Sequence, residues 1–172
     1  MTSVFMSYAR ADAASVVPFA EELRAAGFEV WLDQTSIVAS VPWRTEIGKA
    51  IRSSHLIVVM GSPAWLSSQN CAEELALARQ LGQPVVTIDM AVDRRSWMSM
   101  VLAANSQISE ASRIRSALLG DSIRWDQAGR PTSQLVTGQL LRDYGSVLRS
   151  TSDVTAHNYV RTSIRRRRRR RL

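Results

Sequence analysis

The chain has 172 residues, 45% of them hydrophobic, a length and composition typical of one globular domain that buries its own core. The single cysteine, Cys71, excludes an internal disulfide, and the two histidines lie too far apart for a metal site. Eight arginines and one acidic residue lie from Thr151 onward, which leaves 14 basic and 14 acidic residues in Met1–Ser150 and confines the excess positive charge to the tail.

Short apolar runs alternate with longer amphipathic stretches in the first half of the chain, which predicts a parallel sheet covered by helices. Leu56–Met60 and Pro84–Ile88 lack polar alternation, which is typical of strands buried on both faces. The predicted strands in chain order are Val4–Tyr8, Phe28–Asp33, Leu56–Met60 and Pro84–Ile88, and the first two intervening helices carry apolar faces around Val16–Leu23 and Trp43–Ile51.

The pattern weakens after residue 90, where Trp97–Leu102 predicts only an irregular helix. Ser122–Trp125 is a candidate for a short edge strand, and Ser133–Leu148 has the apolar face of a last helix. Residues 151–172 have no hydrophobic periodicity, so we expect one domain over residues 1–150 followed by a disordered, arginine-rich tail.

Glu74 is the most informative residue, because it lies on the apolar side of its predicted helix. At about 100° per residue it falls inside the apolar arc, whereas Glu73 falls outside it. Asn70 and Glu73 have the spacing of a capping box, which would give Glu73 a structural role. A buried carboxylate is costly, so Glu74 is either paired structurally or part of a functional cleft. The other apolar positions of this helix are Cys71, Leu75, Leu77, Ala78 and Leu81.

Other chemical motifs are missing from the sequence. It contains no glycine-rich phosphate loop and no Gly-x-Ser-x-Gly elbow. Cys71 lies at a helix N-terminus, where a thiol can be activated, but it has no histidine partner in the pattern. We therefore interpret Cys71 as a small buried packing residue.

Five segments in chain order carry motifs of one known family. The first strand ends in Phe5-Met6-Ser7-Tyr8, and the fourth segment contains Cys71-Ala72-Glu73-Glu74-Leu75. The five segments are Val4–Asp12, Trp31–Ile47, Leu56–Pro63, Ser68–Leu75 and Pro84–Ile88. Together they resemble the TIR (Toll/interleukin-1 receptor homology) domain family in its bacterial type, in which the fourth segment contains Cys-x-x-Glu-Leu. The resemblance implies a flavodoxin-like, three-layer α/β fold with a central, mainly parallel sheet of five strands.

The resemblance also implies two alternative functions. Some TIR domains are non-catalytic adaptors that signal by homotypic TIR–TIR association, and others cleave NAD+ at the nicotinamide glycosidic bond when they assemble. In the second group the key acid is the glutamate of Cys-x-x-Glu-Leu, here Glu74. It is the residue that the helical pattern singled out independently. We expect a signalling protein of defence or cell death that uses NAD+ as substrate and needs no cofactor.

By resemblance, Tyr8 and Arg10 would face the same cleft as Glu74, at the carboxyl end of the first strand. Arg10 would contact a phosphate, or is an ordinary surface arginine. Trp43 would stack on a ring beside the BB loop, or anchors its own helix. In the family this loop covers the substrate, so Ser40 would lie over it. The family often has Pro-Gly where the chain has Ala39-Ser40, and serine makes the backbone stiffer than glycine does.

The run Arg165–Arg171 is a strong electrostatic feature with three interpretations: a solvated tail, a polybasic segment at an anionic membrane surface, or a nucleic-acid contact. Base stacking has little support because only Tyr159 is aromatic nearby. No stretch reaches the ~18 apolar residues of a transmembrane helix, and the first residues lead us to expect no signal peptide. We expect a cytoplasmic protein, either free or at the inner face of a membrane.

Overall fold

The computed structural model describes residues 1–32 and 43–169, with side chains at 1–32 and 45–168. The chain forms two compact units, Met1–Ile108 and Ser109–Leu172. The boundary between the two units lies after Ile108. From the sequence we expected one domain over residues 1–150. Each unit has its own hydrophobic core.

The first unit is a parallel sheet with strand order β2-β1-β3-β4 and helices on both faces, which confirms the predicted α/β fold. Its strands are β1 (Ser3–Ser7), β2 (Glu29–Leu32), β3 (Leu56–Gly61) and β4 (Val85–Asp89). Its helices are α1 (Ala13–Ala25), α2 (Trp43–Ser53), α3 (Pro63–Leu66), α4 (Gln69–Gln80) and α5 (Trp97–Ser106).

Alternate residues of β1 point to opposite faces of the sheet and so divide the core in two. Val4 and Met6 pack with α1 and α5, whereas Phe5 packs with α2 and α4. The main clusters on the two faces are Val4, Met6, Val16, Phe19, Leu23 and Trp97 on one, and Phe5, Ile47, Ile51, Ile57, Ala78 and Leu81 on the other.

The prediction that β4 is buried on both faces is wrong. Of its residues only Ile88 is fully buried, and Val85 and Thr87 are exposed on the opposite face. β4 lies at one end of the described strand order, and a strand at an edge is covered less completely than a central one.

The second unit is helical, and it corrects two sequence-based expectations. Its helices are α6 (Glu110–Gln127), α7 (Gly138–Val147) and α8 (Val154–Arg169). The expected edge strand Ser122–Trp125 lies inside α6, because Leu118, Ser122 and Trp125 form one buried face at helical spacing. The sheet accordingly has four strands among the described residues, where we expected five.

The expectation of a disordered tail is wrong for Val154–Arg169, which form α8. Ala156, Tyr159, Val160 and Ser163 are buried in the core of the second unit, where Tyr159 lies against Trp125 with ring centroids 5.3 Å apart. The Tyr159 hydroxyl donates a hydrogen bond of 2.7 Å to the Gln134 carbonyl oxygen. Over the described residues, none of these helices combines the length and apolar character that membrane crossing requires.

Candidate functional site

The candidate site is built on α4, whose start differs from the predicted capping box. Ser68 is the N-cap, and its Oγ accepts a hydrogen bond of 3.3 Å from the backbone N–H of Cys71. Asn70 lies inside the helix and is exposed. Glu73 is also exposed, and its Oε1 accepts a bond of 3.2 Å from Gln69 Nε2. The N-cap therefore lies two residues before Asn70, the predicted cap. Glu73 stabilises the first turn of the helix through a hydrogen bond on its exposed surface.

Glu74 is only 5% exposed, as its phase on the helix predicted. On the same face of α4, Cys71 is 3% exposed and Ala78 is fully buried. Glu73 and Glu74 are consecutive residues, and the turn of about 100° between them places one carboxylate in solvent and the other in the protein. The position of Glu74 is therefore set by the register of the helix.

A cavity of about 210 Å³ lies between α2 and α4, and Glu74 lines it. We call it the Glu74 cavity; its described lining is Ile47, Gly48, Ile51, Asn70, Glu73, Glu74 and Leu77. This lining combines aliphatic side chains with two carboxylates and one amide. Such a surface accepts hydrogen bonds from hydroxyl groups and stabilises a nearby positive charge, while its apolar parts exclude water.

Gly48 keeps part of this cavity open. A Cβ atom built at Gly48 would lie 3.0 Å from Arg52 Nη1 and 3.9 Å from Leu77 Cδ2. Arg52 Nη1 also donates a hydrogen bond of 3.1 Å to the Gly48 carbonyl oxygen. The missing side chain at residue 48 therefore leaves space where α2 passes α4.

Tyr8 and Arg10 lie near the carboxyl end of β1, as expected, but neither is among the described residues that line the Glu74 cavity. Tyr8 is half-buried and packs against the core on the α1 side of the sheet, in phase with Val4 and Met6. Arg10 is exposed in a short 3-10 turn. The alternation along β1 thus separates Tyr8 from the face that carries Glu74.

The two other expected substrate contacts are Ser40 and Trp43. Ser40 lies outside the described residues. Trp43 is the first residue of α2, and its side chain lies outside the described part of the structure. Their roles remain the predictions made from the sequence.

A polar network at the carboxyl ends of β1 and β3 was missed in the sequence. Trp65 Nε1 donates a hydrogen bond of 3.0 Å to Ser7 Oγ, and Ser62 Oγ donates one of 2.6 Å to Asp12 Oδ2. Ser62 Oγ also caps α3 by accepting from the Trp65 backbone N–H at 3.0 Å. The Ser62-Pro63 pair was the available signal, since serine as N-cap followed by proline is a common helix start.

Cys71 packs against this end of the sheet, in a small cluster with Ala9, Val59 and Trp65. Its thiol is buried, which confirms the packing interpretation. Its backbone N–H is bound by the Ser68 cap, so the residue contributes to the placement of α4 through both its side chain and its main chain.

The comparison with known families agrees with this geometry. A TIR domain family model matches residues 4–108, which is more than half of the chain and nearly the whole first unit. No curated protein matches the sequence. The matched region contains the sheet from Val4 onward, α2, α4 and all seven described lining residues of the Glu74 cavity. The chain belongs to the TIR domain family.

Proposed function

We propose that this TIR signalling protein cleaves NAD+ at the nicotinamide glycosidic bond when copies of it associate, with Glu74 as the catalytic carboxylate. NAD+ is the substrate in this proposal, and no cofactor is required. The observation that supports it is a carboxylate only 5% exposed that nevertheless lines a cavity. A buried carboxylate beside a cavity is a common arrangement in active sites.

The described lining suits the nicotinamide ribose end of the substrate. None of the seven described lining residues is basic, so the described walls offer no cation to a phosphate. Two carboxylates and an amide can instead accept hydrogen bonds from ribose hydroxyls. The same carboxylates favour the positive charge of the pyridinium and of the sugar as the bond breaks.

The chemistry needs only one carboxylate. Nicotinamide in NAD+ is a cationic pyridinium, and it leaves as a neutral molecule with the electron pair of the C–N bond. No general acid is needed, unlike in ordinary glycosidases, which use two carboxyl groups. Glu74 would hold the ribose and stabilise the oxocarbenium-like transition state from a position shielded from water.

The second step completes the reaction. When water attacks the anomeric carbon, its oxygen forms the new bond, one proton is released to solvent, and the product is ADP-ribose. When a nucleophilic nitrogen of the substrate attacks instead, the product is cyclic. Both outcomes use Glu74 in the same way, so release of nicotinamide is the measurement common to both.

The test is nicotinamide release by the purified full chain at high protein concentration. Glu74→Gln keeps the shape of the side chain and removes its charge, and we expect a fall of about 100-fold or more. Glu29→Gln is the matched control, because Glu29 is exposed on β2 and loses the same charge. Equal rates for the wild type and the Glu74 variant would contradict the catalytic role.

A non-catalytic adaptor is the second candidate, and two observations favour it. At about 210 Å³ the cavity is smaller than the ~300–1,000 Å³ of typical ligand pockets, and Tyr8 and Arg10 do not line it. TIR domains commonly associate with one another, so such a protein would act by homotypic assembly. Concentration-dependent assembly without nicotinamide release from the wild type would establish this alternative.

A further inference from the structure

Helix α8 has two distinct faces. Its buried face consists of Ala156, Tyr159, Val160 and Ser163. The opposite face is exposed toward the carboxyl end of the helix. Its residues also recur at intervals of three and four, and three of them are arginines. We call Arg161, Arg165 and Arg168 the arginine stripe. Because the tail is a helix packed on the second unit, its charges are held on one surface instead of being dispersed along a coil.

A groove of about 340 Å³ lies beside the stripe, between α7 and α8. Its walls combine two aliphatic side chains with three guanidinium groups, and we call it the basic groove. Ile164 in this groove is 39% exposed. The lining residues are Leu141, Arg142, Ile164, Arg167 and Arg168.

The charge of this surface is not neutralised within the described residues. Two ion pairs described in the second unit join Arg124 to Asp121 and Arg130 to Asp126, and neither includes an arginine of α8. Arg166 donates to the Thr132 carbonyl oxygen, a neutral acceptor. Several like charges one helical turn apart repel one another, so an external anion would relieve this repulsion.

We propose that the arginine stripe and the basic groove bind the surface of an anionic lipid bilayer. The argument is charge complementarity combined with exposed aliphatic surface, because a basic amphipathic helix binds such membranes through both contributions. Headgroup phosphates and carboxylates would accept from the guanidinium groups, while Ile164 enters the boundary of the acyl region. This inference is independent of NAD+ cleavage.

Nucleic acid suits the same surface less well. Single-stranded nucleic acid binds through aromatic side chains on which bases stack. The aromatic residue of α8, Tyr159, is 2% exposed, and its neighbours Tyr144 and Trp125 are buried as well. The surface therefore offers arginine and aliphatic groups, which fit a lipid headgroup region better than a base.

The test measures binding of the full chain to vesicles of phosphatidylcholine with and without 30 mol% phosphatidylserine, at low and high salt. We expect binding only to the anionic vesicles, weakened by salt. The variant Arg161→Gln/Arg165→Gln/Arg168→Gln should bind roughly a hundredfold more weakly, since each arginine near the surface contributes about fivefold. These residues are exposed, so the buried face of α8 stays intact.

The matched control removes three exposed arginines elsewhere, Arg79→Gln/Arg95→Gln/Arg149→Gln, and so changes the net charge equally. We expect it to bind nearly as well as the wild type. If both triple variants lose binding to the same extent, net charge alone explains the effect and the proposed surface is wrong. Wild-type protein that ignores anionic vesicles would also overturn the proposal.

A second variant separates lipid from nucleic acid. Ile164→Asn should weaken vesicle binding several-fold, because it removes apolar surface from the contact, and should leave binding to a 20-base-pair DNA duplex unchanged. Circular dichroism of each variant checks that the helices remain. DNA binding tighter than vesicle binding at physiological salt, lost in the Arg161/Arg165/Arg168 variant, would assign the surface to nucleic acid and overturn the proposal.

Discussion

Replacing Gly48 with alanine places a methyl group in the wall of the Glu74 cavity. The new Cβ would lie 3.0 Å from Arg52 Nη1 and 3.9 Å from Leu77 Cδ2. The first distance is tight, but the atom concerned is the far end of a flexible side chain and can move by a few tenths of an ångström. The substitution therefore changes the shape of the cavity with little strain in the backbone.

The substitution should lower activity without lowering stability. Alanine is about 1 kcal/mol more favourable than glycine inside a helix. Loss of the 3.1 Å bond from Arg52 to the Gly48 carbonyl oxygen would offset about 1 kcal/mol at most. We expect the melting temperature to stay equal or to rise by up to ~4 °C.

For the substrate the methyl group is an obstruction. It takes about the space of one water molecule, ~30 Å³, or roughly a seventh of the 210 Å³ cavity. Extra atoms in a packed site typically cost ~1–3 kcal/mol, which corresponds to a fall in kcat/KM of about 5-fold to 150-fold. Gly48→Leu should reduce it further.

Steady-state nicotinamide release by Gly48→Ala, measured beside its thermal unfolding, checks this reasoning. Gly145→Ala is the control, because Gly145 is also helical and a Cβ there meets nothing within 4 Å. Unchanged kcat/KM in a well-folded Gly48→Ala protein would show that the substrate does not occupy this cavity. A large drop in melting temperature would show that the packing around Gly48 is tighter than the distances indicate.

Two further predictions concern stability. Trp65→Phe removes the buried hydrogen bond from Nε1 to Ser7 Oγ and should lower the free energy of unfolding, measured in urea, by ~1–3 kcal/mol. Adding Ser7→Ala to this variant should lower it little further, because the bond is already lost. If the losses of the two single variants simply add in the double variant, the two side chains are not paired. Burial raises the pKa of Tyr159 to about 12, and burial and the hydrogen bond to Asp121 raise that of Tyr144. Both phenols stay protonated in the fold above their ordinary pKa of ~10, so stability should be constant below pH ~10 and fall as pH rises toward 12. Urea unfolding followed by helix content at pH 9 and 11.5 measures this fall in stability. We expect a smaller fall for Tyr144→Phe, and a stability that does not change between the two pH values would contradict the reasoning.

The sheet and its order of elements could be predicted because each inner strand is a short apolar run. Leu56–Met60 is the plainest case, since it matches the observed β3 to within one residue. The burial of Glu74 could be predicted for the same kind of reason, because the phase of a helix is fixed by its own sequence. The edge position of β4 is a property of topology, which no local pattern encodes.

Helix α8 was missed because composition concealed its periodicity. Its buried face uses Ala156, Tyr159, Val160 and Ser163, and the alanine and the serine do not register as apolar signals. Arginine occupies positions 161 and 165–169, and a run of arginine is the usual mark of a solvated segment. The tail folds because two larger side chains, Tyr159 and Val160, find partners in α6 and α7.

Under the proposed NAD+ cleavage, the charge of the Glu74 cavity would connect catalysis with assembly. NAD+ carries a diphosphate, and none of the described lining residues is basic. Arg10 is exposed near the carboxyl end of β1, but the described lining does not include it. In the proposed reaction the cation for the diphosphate would come from outside this lining, either from Arg52, whose Nη1 lies 3.0 Å from the Cβ position of Gly48, or from a second copy of the chain. In the second case the enzyme would hold its catalytic acid in each monomer and would bind the whole substrate only after assembly.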